Sequence, residues 1–274
     1  MRGDASQAGR CAVDPDLMHL VELAVLARAA GMSKKIEYEK SLVSYVDILG
    51  FGELIGTRSA EDISEIIREV KEDFRPYRTK VSKTRNGDFV NFSDMNITSI
   101  PLNRRGARLA CEILFDQLMH LVQAQSTRIL QGIVVRGGVT VGEIVKSQRQ
   151  LFGPAVVRAY ELESKIAIYP RIVVGKEVLD ELKEQTGARA GGRPGEGENA
   201  LSLLREGDDG QFYIDYLWAV RGELGDDYGE FLDRHGSLIS DGLKNYTQNA
   251  AIRSKYEWLD HYHRSVLARL NDAS

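Results

Sequence analysis

The sequence has few of the residues that build disulfide frameworks or histidine metal sites. Among 274 residues there are two cysteines and five histidines. Cys11 and Cys111 cannot make a disulfide framework, so a reducing cytoplasm is the expected compartment. His261 and His263 are two positions apart and do not share a helix face, and the histidines therefore lack metal-ligand spacing.

The charge balance and the apolar runs exclude two further classes. The net charge is −4, which is not basic enough for general nucleic-acid binding. The longest N-terminal apolar run, residues 17–30, contains His19, Glu22 and Arg28. It is too short and too charged to cross a bilayer, and it lacks the pattern of a signal peptide. We therefore expect no nucleic-acid partner and no direct insertion into a membrane.

Strand and helix patterns alternate along the chain. The alternation, together with a central hairpin, predicts an α/β (α+β) domain with a mixed sheet and helices mostly on one face. We divide the chain into an N-terminal helical extension that need not belong to the core (1–31), a core domain (32–225) and a C-terminal helical extension (226–274). Predicted strands cover 41–49, 88–100 on both sides of Ser93-Asp94, 129–145, 171–175 and 212–220, and predicted helices cover 59–75, 107–126, 154–166, 176–185 and the tail from 228.

Two aspartates interrupt apolar strand patterns: Asp47 in VDILGF and Asp94 in NFSDMNI. A buried carboxylate is costly unless it is paired or holds a metal. A single strand aspartate often only caps a turn, but two carboxylates brought together repel each other unless a cation lies between them. Such a pair holding Mg²⁺ or Mn²⁺ is typical of phosphoryl chemistry. Gly50 and Gly52 would leave backbone N–H groups open to phosphate oxygens.

A third segment combines the glycine-rich strand RGGVTVGEIV, 136–145, with LFGPAVVRAYELES, 151–164. A strand rich in glycine allows the close approach of another backbone or of a ligand. The Gly-Pro pair opens a helix whose N-terminus could meet a ligand. Sheet packing alone would also explain the glycines.

The order VDILGF, FSDMNI, RGGVTVGE and FGPAVVRAYELES resembles the class III nucleotidyl cyclase catalytic domain, over residues 41–178. With MSKKIEYEKSLVSYVDILGF and the KY-x-WL-x-x-YH tail included, the sequence is most similar to the bacterial pyrimidine cyclases of the Pycsar antiphage systems. The resemblance implies a ferredoxin-like catalytic domain. It also implies a homodimer with active sites at the interface.

The resemblance assigns the two aspartates a shared role. Asp47 and Asp94 would bind two divalent ions per site, Mn²⁺ or Mg²⁺, with the carbonyl of Ile48 as a further metal ligand. Gly50 and Phe51 would offer backbone N–H groups to the phosphates of the substrate.

The sequence departs from the family on its last catalytic helix. The transition-state asparagine of the family corresponds to Val157, and the arginine to Glu161. We therefore keep Arg158 as the candidate catalytic arginine, with Arg136 as a second candidate. Ser93 replaces the usual glycine before the second aspartate.

The residues that read a purine base are also absent from their positions. Val90 stands near the lysine or glutamate position and Gln150 stands at the aspartate position. The amides of Asn91 and Gln150 could instead read a pyrimidine edge, because an amide both donates and accepts.

The expected function is the conversion of UTP to 3′,5′-cyclic UMP and pyrophosphate. The cyclic nucleotide would then activate a separate effector in antiphage defence. Three alternatives stay open: a cytidylate cyclase making cyclic CMP, a purine cyclase that reads its base elsewhere, and an inactive cyclase-like domain that binds a nucleotide or a partner.

Overall fold

The computed structural model describes residues 37–76, 87–102, 110–147, 150–186 and 196–272; the predicted extension at 1–31 lies outside them. The strands are β1 (Glu39–Ile48), β2 (Asp88–Phe92), β3 (Met95–Pro101), β4 (Val135–Ser147), β5 (Gln150–Phe152), β6 (Ile172–Val174), β7 (Leu204–Glu206) and β8 (Phe212–Ile214). The helices are α1 (Phe51–Thr57), α2 (Ala60–Asp73), α3 (Ala110–Leu130), α4 (Pro154–Glu161), α5 (Lys176–Thr186), α6 (Glu196–Leu201), α7 (Tyr216–Ala219), α8 (Arg221–Leu224), α9 (Tyr228–Asn245) and α10 (Ala250–Asp272). A π-helical turn, Leu162–Ile166, continues α4, and a 3₁₀ turn, Gly225–Asp227, precedes α9.

The sheet is mixed, as the sequence predicts. Its strands lie in the order β2-β3-β1-β4-β6-β8-β7, and β5 pairs with the far end of β4. The β4–β6 pair is parallel, whereas β1 runs antiparallel to both β3 and β4. The predicted α/β class is therefore confirmed, and the strand that carries Asp47 lies between the hairpin β2–β3 and the glycine-rich strand.

Strand β1 contributes to a hydrophobic cluster on each face of the sheet. Leu42, Val46 and Ile48 join the larger cluster, which contains the buried face of α3. Val43 and Tyr45 join the smaller cluster on the other face, together with alanines of α4. Since side chains alternate along a strand, Asp47 lies on the α4 face of the sheet.

The glycines of β4 let α4 approach the sheet closely. A Cβ atom on Gly138 would lie 2.4 Å from the carbonyl oxygen of Ala159 and 2.4 Å from the Cβ of Leu162. A Cβ on Gly142 would lie 3.2 Å from the Cβ of Ala155. At these two positions the glycines allow the close approach of the α4 backbone and its packing on the sheet.

Two predicted strands were too long. The predicted strand 129–145 begins only at residue 135, because α3 continues to Leu130 and Gly132 turns the chain at φ 76°. The predicted strand 212–220 ends at Ile214, because Asp215 is buried and accepts a hydrogen bond from the Tyr262 hydroxyl at 2.6 Å. The following residues form α7. A short apolar run is compatible with either a strand or a buried helix. Here the hydrogen bond between Asp215 and Tyr262 determines where the strand ends.

The C-terminal helices pack into the larger hydrophobic cluster. Tyr262 and Val266 of α10 and Phe231 of α9 are buried there. Tyr216 of α7 is equally buried, and its hydroxyl shares a hydrogen bond of 2.7 Å with Nε2 of His235. Among the described helices, none has the length and apolarity needed to cross a membrane.

We expect the buried His235 to make the protein less stable in acid. Burial, and then His263 with its Nδ1 atom 3.1 Å from that of His235, lower the pKa of His235 to about 3. The unfolded chain would bind a proton near pH 6.5, so the stability is present above that pH and is lost as the pH falls. Between pH 6 and pH 5 this loss is about 1 kcal/mol.

Denaturant unfolding of the wild-type protein and of His235→Gln, at several pH values, measures this loss. The glutamine keeps a partner for the Tyr216 hydroxyl but does not titrate, so the stability difference between the two proteins should narrow as the pH falls. A difference that stays constant from pH 7 to pH 5 would show that His235 is not held neutral by burial.

Candidate active site

The fold brings the two predicted metal ligands, Asp47 and Asp94, together. The pairing of β1 with β3 ends at Val46 opposite Asn96, and continuing that register by two residues would place Ile48 opposite Asp94. The carboxyl groups of Asp47 and Asp94 lie within hydrogen-bonding reach of each other. Burial, and next Asp94, raise the pKa of Asp47 to about 7.

The hairpin turn that carries Asp94 contains a serine, Ser93, in a backbone conformation that is unusual for a residue with a side chain. Ser93 adopts a left-handed conformation, φ 55°, which favours glycine over a residue with a side chain. Ser93 therefore adopts a backbone conformation that would suit the glycine expected at this position from the resemblance. Asn91 braces the turn, because its Nδ2 donates to the carbonyl oxygens of Ser93 (3.1 Å) and Met95 (3.2 Å). Only the side-chain oxygen of Asn91 remains available to a ligand, which limits its predicted role in reading a base.

The backbone carbonyl of Ile48 is directed towards the two aspartates. The N–H of Leu49 donates to the carbonyl of Val134 at 2.8 Å, so odd-numbered residues at this end of β1 bond to β4 and even-numbered ones face β3. The carbonyl of Ile48 is thereby directed past the last β1–β3 pair, towards the turn of Asp94.

The donor set at this position fits a divalent cation. Carboxylate and carbonyl oxygens are the ligands that Mg²⁺ and Mn²⁺ prefer. Burial and the neighbouring carboxyl raise the pKa of Asp47, and a divalent ion beside it would favour its ionised form. The described part of the chain has no group of three or more His, Cys, Asp or Glu side chains arranged to hold a metal. An ion here would therefore take its remaining ligands from the backbone, water or phosphate, as Mg²⁺ commonly does.

A third carboxylate and an arginine complete the charged cluster. The guanidinium Nη2 of Arg136, which lies opposite Asp47 on β4, is 2.7 Å from Oε1 of Glu163 and 3.7 Å from Oδ2 of Asp47. Burial raises the pKa of Glu163, and Arg136 opposes that shift. Glu163 lies in the π-helical turn after α4, and such turns are frequent at functional sites. Its carboxylate holds Arg136 beside the aspartates.

The turn after Asp47 leaves backbone donors open. Gly50 has φ 82°, a conformation that favours glycine, and no atom lies within 4 Å of a Cβ built on Gly50 or Gly52. Within the described residues, no hydrogen-bond acceptor is found for the N–H groups of Phe51 and Gly52. The predicted phosphate-binding turn is therefore open and has unsatisfied donors, three residues beyond the first aspartate.

Arg158 does not join the carboxylates within one chain. Its Nε donates to Oε1 of Glu177 at 3.3 Å, and Glu177 also accepts from the hydroxyl of Thr140. The ion partner of Arg158 is thus Glu177, not Glu161 or Glu163 of its own helix. Glu161 instead pairs with Lys165.

Gln150 lies in a separate cleft. A cavity of about 580 Å³ between β2 and β5 is lined by Val90 and Gln150, the two positions where purine cyclases read the base, and also by Phe89, Lys146 and Phe152. The two base-reading positions are therefore neighbours in space although they are 60 residues apart in the chain. Asn91 does not line this cleft.

The sequence-based assignment did not include Glu163 as a site residue. The helical spacing of apolar residues over 154–166 continues through Glu163, and the sequence there does not predict a π turn. Asp47, Asp94, Ile48, Gly50 and Phe51 are brought to one place, whereas Arg158 and Gln150 lie elsewhere on the same chain.

Comparison with known proteins finds solved structures of nucleotide cyclases at low sequence identity. No protein-family model matches the sequence, and no curated protein matches it. A bacterial light-regulated adenylyl cyclase is similar in structure at a TM-score of 0.40 and 13% identity, over 64% of this chain and 59% of that one, so this chain spans less than two thirds of it. The guanylyl cyclase Cya2 gives a TM-score of 0.40 at 14% identity, over 65% of this chain and 92% of that one.

A third solved structure, an adenylate/guanylate cyclase/hydrolase from Silicibacter pomeroyi, gives a TM-score of 0.37 at 16% identity, over 65% of this chain and 95% of that one. All three TM-scores lie below 0.5. The function proposed next therefore rests on the site and on the sequence motifs.

Proposed function

We propose that this protein is a nucleotidyl cyclase that depends on divalent metal ions and converts UTP to 3′,5′-cyclic UMP and pyrophosphate. The observation that carries the proposal is the meeting of Asp47 and Asp94 beside an open glycine turn. Two half-buried carboxyls in hydrogen-bonding reach of each other are costly without a cation. Unsatisfied N–H groups a few residues away suit the phosphates that accompany such a cation.

The reaction is an internal displacement on the substrate. The ribose 3′-oxygen forms a bond to the α-phosphorus, the bond from that phosphorus to the bridging oxygen of the β-phosphate breaks, and pyrophosphate leaves with the electron pair. The hydroxyl proton passes to solvent. Two bound Mn²⁺ or Mg²⁺ ions would lower the pKa of the 3′-hydroxyl and offset charge on the phosphates.

The side chains of this chain supply position and charge. Asp47, Asp94 and the carbonyl of Ile48 would hold the ions at the end of β1. The N–H groups of Gly50 and Phe51 would donate to the β- and γ-phosphates. Because positioning and electrostatics account for most of the catalysis of such transfers, donors that are already in place reduce the reorganisation needed at the moment of reaction.

A second copy of the chain would complete the site. Large apolar side chains are exposed on the hairpin and on α4: Phe92 is 75% exposed, Val157 58% and Tyr160 49%. Such a surface is unusual on a monomer and fits an interface between copies. In the cyclase family that the sequence resembles, active sites form between protomers; by that resemblance, Arg158 and Gln150 of one protomer would lie near the aspartates of its partner. Arg158 would then stabilise the transition state, and Gln150 would read the base, to which Asn91 could offer only its side-chain oxygen.

The choice of a pyrimidine rests on the resemblance and on the cleft. Val90 and Gln150 offer no charged group for a purine edge, the charged Lys146 of the cleft is paired with Asp88, and Phe89 and Phe152 supply apolar walls. We place the enzyme in the cytoplasm, where its cyclic product would activate a separate antiphage effector. The cytoplasmic location and the antiphage role both depend on the proposed cyclase activity.

The test offers ATP, GTP, CTP and UTP together, at equal concentrations with Mn²⁺, to the purified protein. Mass spectrometry should find cyclic UMP as the dominant product. Dominant cyclic CMP would move the assignment to a cytidylate cyclase, and a dominant cyclic purine would show that the base is read elsewhere.

An inactive cyclase-like domain is the second candidate. Val157 and Glu161 support this candidate, because neither side chain can do the work of the asparagine and arginine that the resembled family has at these positions. Such a domain would bind a nucleotide in calorimetry and give no cyclic product with any of the four substrates.

A further inference from the structure

A cavity of about 260 Å³ lies between the start of α1 and the C-terminal helices α9 and α10. Leu49 and Gly50, from the candidate phosphate-binding turn, line one side of it. Lys255 of α10 and Asp241 of α9 are among the residues that line the other side. The C-terminal helices therefore reach the turn that follows Asp47.

Lys255 and Arg58 are the cations that line this cavity, and of the two only Lys255 is half-buried. Lys40, Lys146, Lys165 and Lys244 each lie within 4 Å of a carboxylate. For half-buried Lys255, no carboxylate partner is found within the described residues. Burial, and then the charge of Arg136, lower the pKa of Lys255.

Lys255 has no carboxylate partner in the described part of the chain although Glu53 and Asp241 also line the cavity, and Asp241 lies 3.7 Å from Lys244 instead. Arg136 is already held by Glu163 and Asp47, so its charge is partly balanced. Lys255 receives only an unfavourable contribution from Arg136. A half-buried ammonium next to another cation is costly unless a negative ligand offsets it. The N–H groups of Phe51 and Gly52, which follow Gly50 in the chain but do not line the cavity, are open to the same class of ligand.

We propose that Lys255 binds the terminal phosphates of the nucleoside triphosphate, and the pyrophosphate that is released, from within the same chain as the Gly50 turn. This inference rests on the proposed cyclase function and extends the site. It makes α10 a part of the active site and not only a C-terminal extension. The cation is then supplied in cis, whereas Arg158 would come from the partner.

The test measures the binding of inorganic pyrophosphate, with Mg²⁺, by isothermal titration calorimetry, and the kinetics of cyclic product formation from UTP. Lys255→Gln should weaken pyrophosphate binding about tenfold or more, because hydrogen bonds to charged groups contribute at this scale. The KM for UTP should rise by a similar factor. Lys255→Arg keeps the charge and should retain most of the binding.

Arg264→Gln is the matched control. It removes one positive charge from the same helix, but Arg264 is exposed and ion-paired with Asp260. Nine residues of helix separate it from Lys255, which places it on the opposite face and about 13 Å along the axis. Its pyrophosphate affinity and its KM should equal those of the wild-type protein. Thermal unfolding of each variant verifies that it is folded.

The outcomes separate this inference from the cyclase proposal. Cyclic product with the same KM and pyrophosphate affinity in Lys255→Gln as in the wild-type protein would overturn the role of Lys255 and leave the cyclase intact. Equal losses in Lys255→Gln and Lys255→Arg would assign Lys255 to packing and also overturn it. If no protein makes cyclic product but pyrophosphate binding depends on Lys255, the phosphate site is supported and the cyclase proposal fails.

Discussion

Asp47→Asn should lower the formation of cyclic nucleotide at least about a thousandfold, because the loss of a single electrostatic group in an active site can cost that much. The amide keeps the size of the side chain but removes the charge that would hold the divalent ions between β1 and the hairpin. Asp94→Asn should have the same effect. The rate of cyclic UMP formation with saturating Mn²⁺ is the measurement.

Thermal unfolding separates a lost metal site from a lost fold. Without metal, Asp47→Asn should unfold at the same temperature as the wild-type protein or higher, because Asp94 no longer faces a second carboxylate. Mn²⁺ should raise the unfolding temperature of the wild-type protein but not that of the variant. Asp180→Asn, an exposed position on α5, is the control and should behave like the wild-type protein. Full activity in Asp47→Asn would contradict the assignment of the metal ligands.

Gly138→Ala should lower the free energy of unfolding by about 3 kcal/mol, the upper range for overpacking of a well-packed site. The new Cβ would lie 2.4 Å from both the Ala159 carbonyl oxygen and the Leu162 Cβ. Backbone cannot give way as a flexible side-chain end can, so α4 would have to move from the sheet. Chemical denaturation at constant pH measures the loss.

Gly142→Ala is the matched control for this prediction. It lies on the same strand under the same helix, but its Cβ would be 3.2 Å from that of Ala155, so its cost should be smaller than that of Gly138→Ala. Equal stability of Gly138→Ala and the wild-type protein would show that α4 does not pack as closely as described. Since the π turn follows α4, the displaced helix should also loosen the pairing of Glu163 with Arg136.

The local parts of the site could be predicted from the sequence. The sequence correctly predicts that Asp47 lies on a strand, because the residues around it have the apolar pattern of a strand. Gly50, three residues later, predicts the turn that ends this strand. The hairpin of Asp94 is read from strand-like residues on both sides of Ser93. In both cases the determining signal lies within a few neighbouring residues.

The distant parts could not be predicted in the same way. Glu163 reaches Arg136 only because the helix widens into a π turn, and the helical spacing of the sequence continues without a break. Lys255 lines the same cavity as Gly50, which is about 200 residues earlier in the chain. The segment after Ile214 was predicted as a strand because YLWAV is apolar, whereas the buried Asp215–Tyr262 hydrogen bond ends the strand there. Each of these depends on a tertiary contact.

The most direct test of the central claim is the stoichiometry of the reaction with a single substrate. The wild-type protein is incubated with Mn²⁺ and UTP alone, and cyclic UMP, UMP, UDP and pyrophosphate are quantified by mass spectrometry. We predict cyclic UMP and pyrophosphate in equal amounts, with neither product formed when the divalent metal is chelated. UMP or UDP in place of cyclic UMP, or UTP left unchanged by a well-folded protein, would contradict the assignment of Asp47 and Asp94 to an internal displacement on UTP.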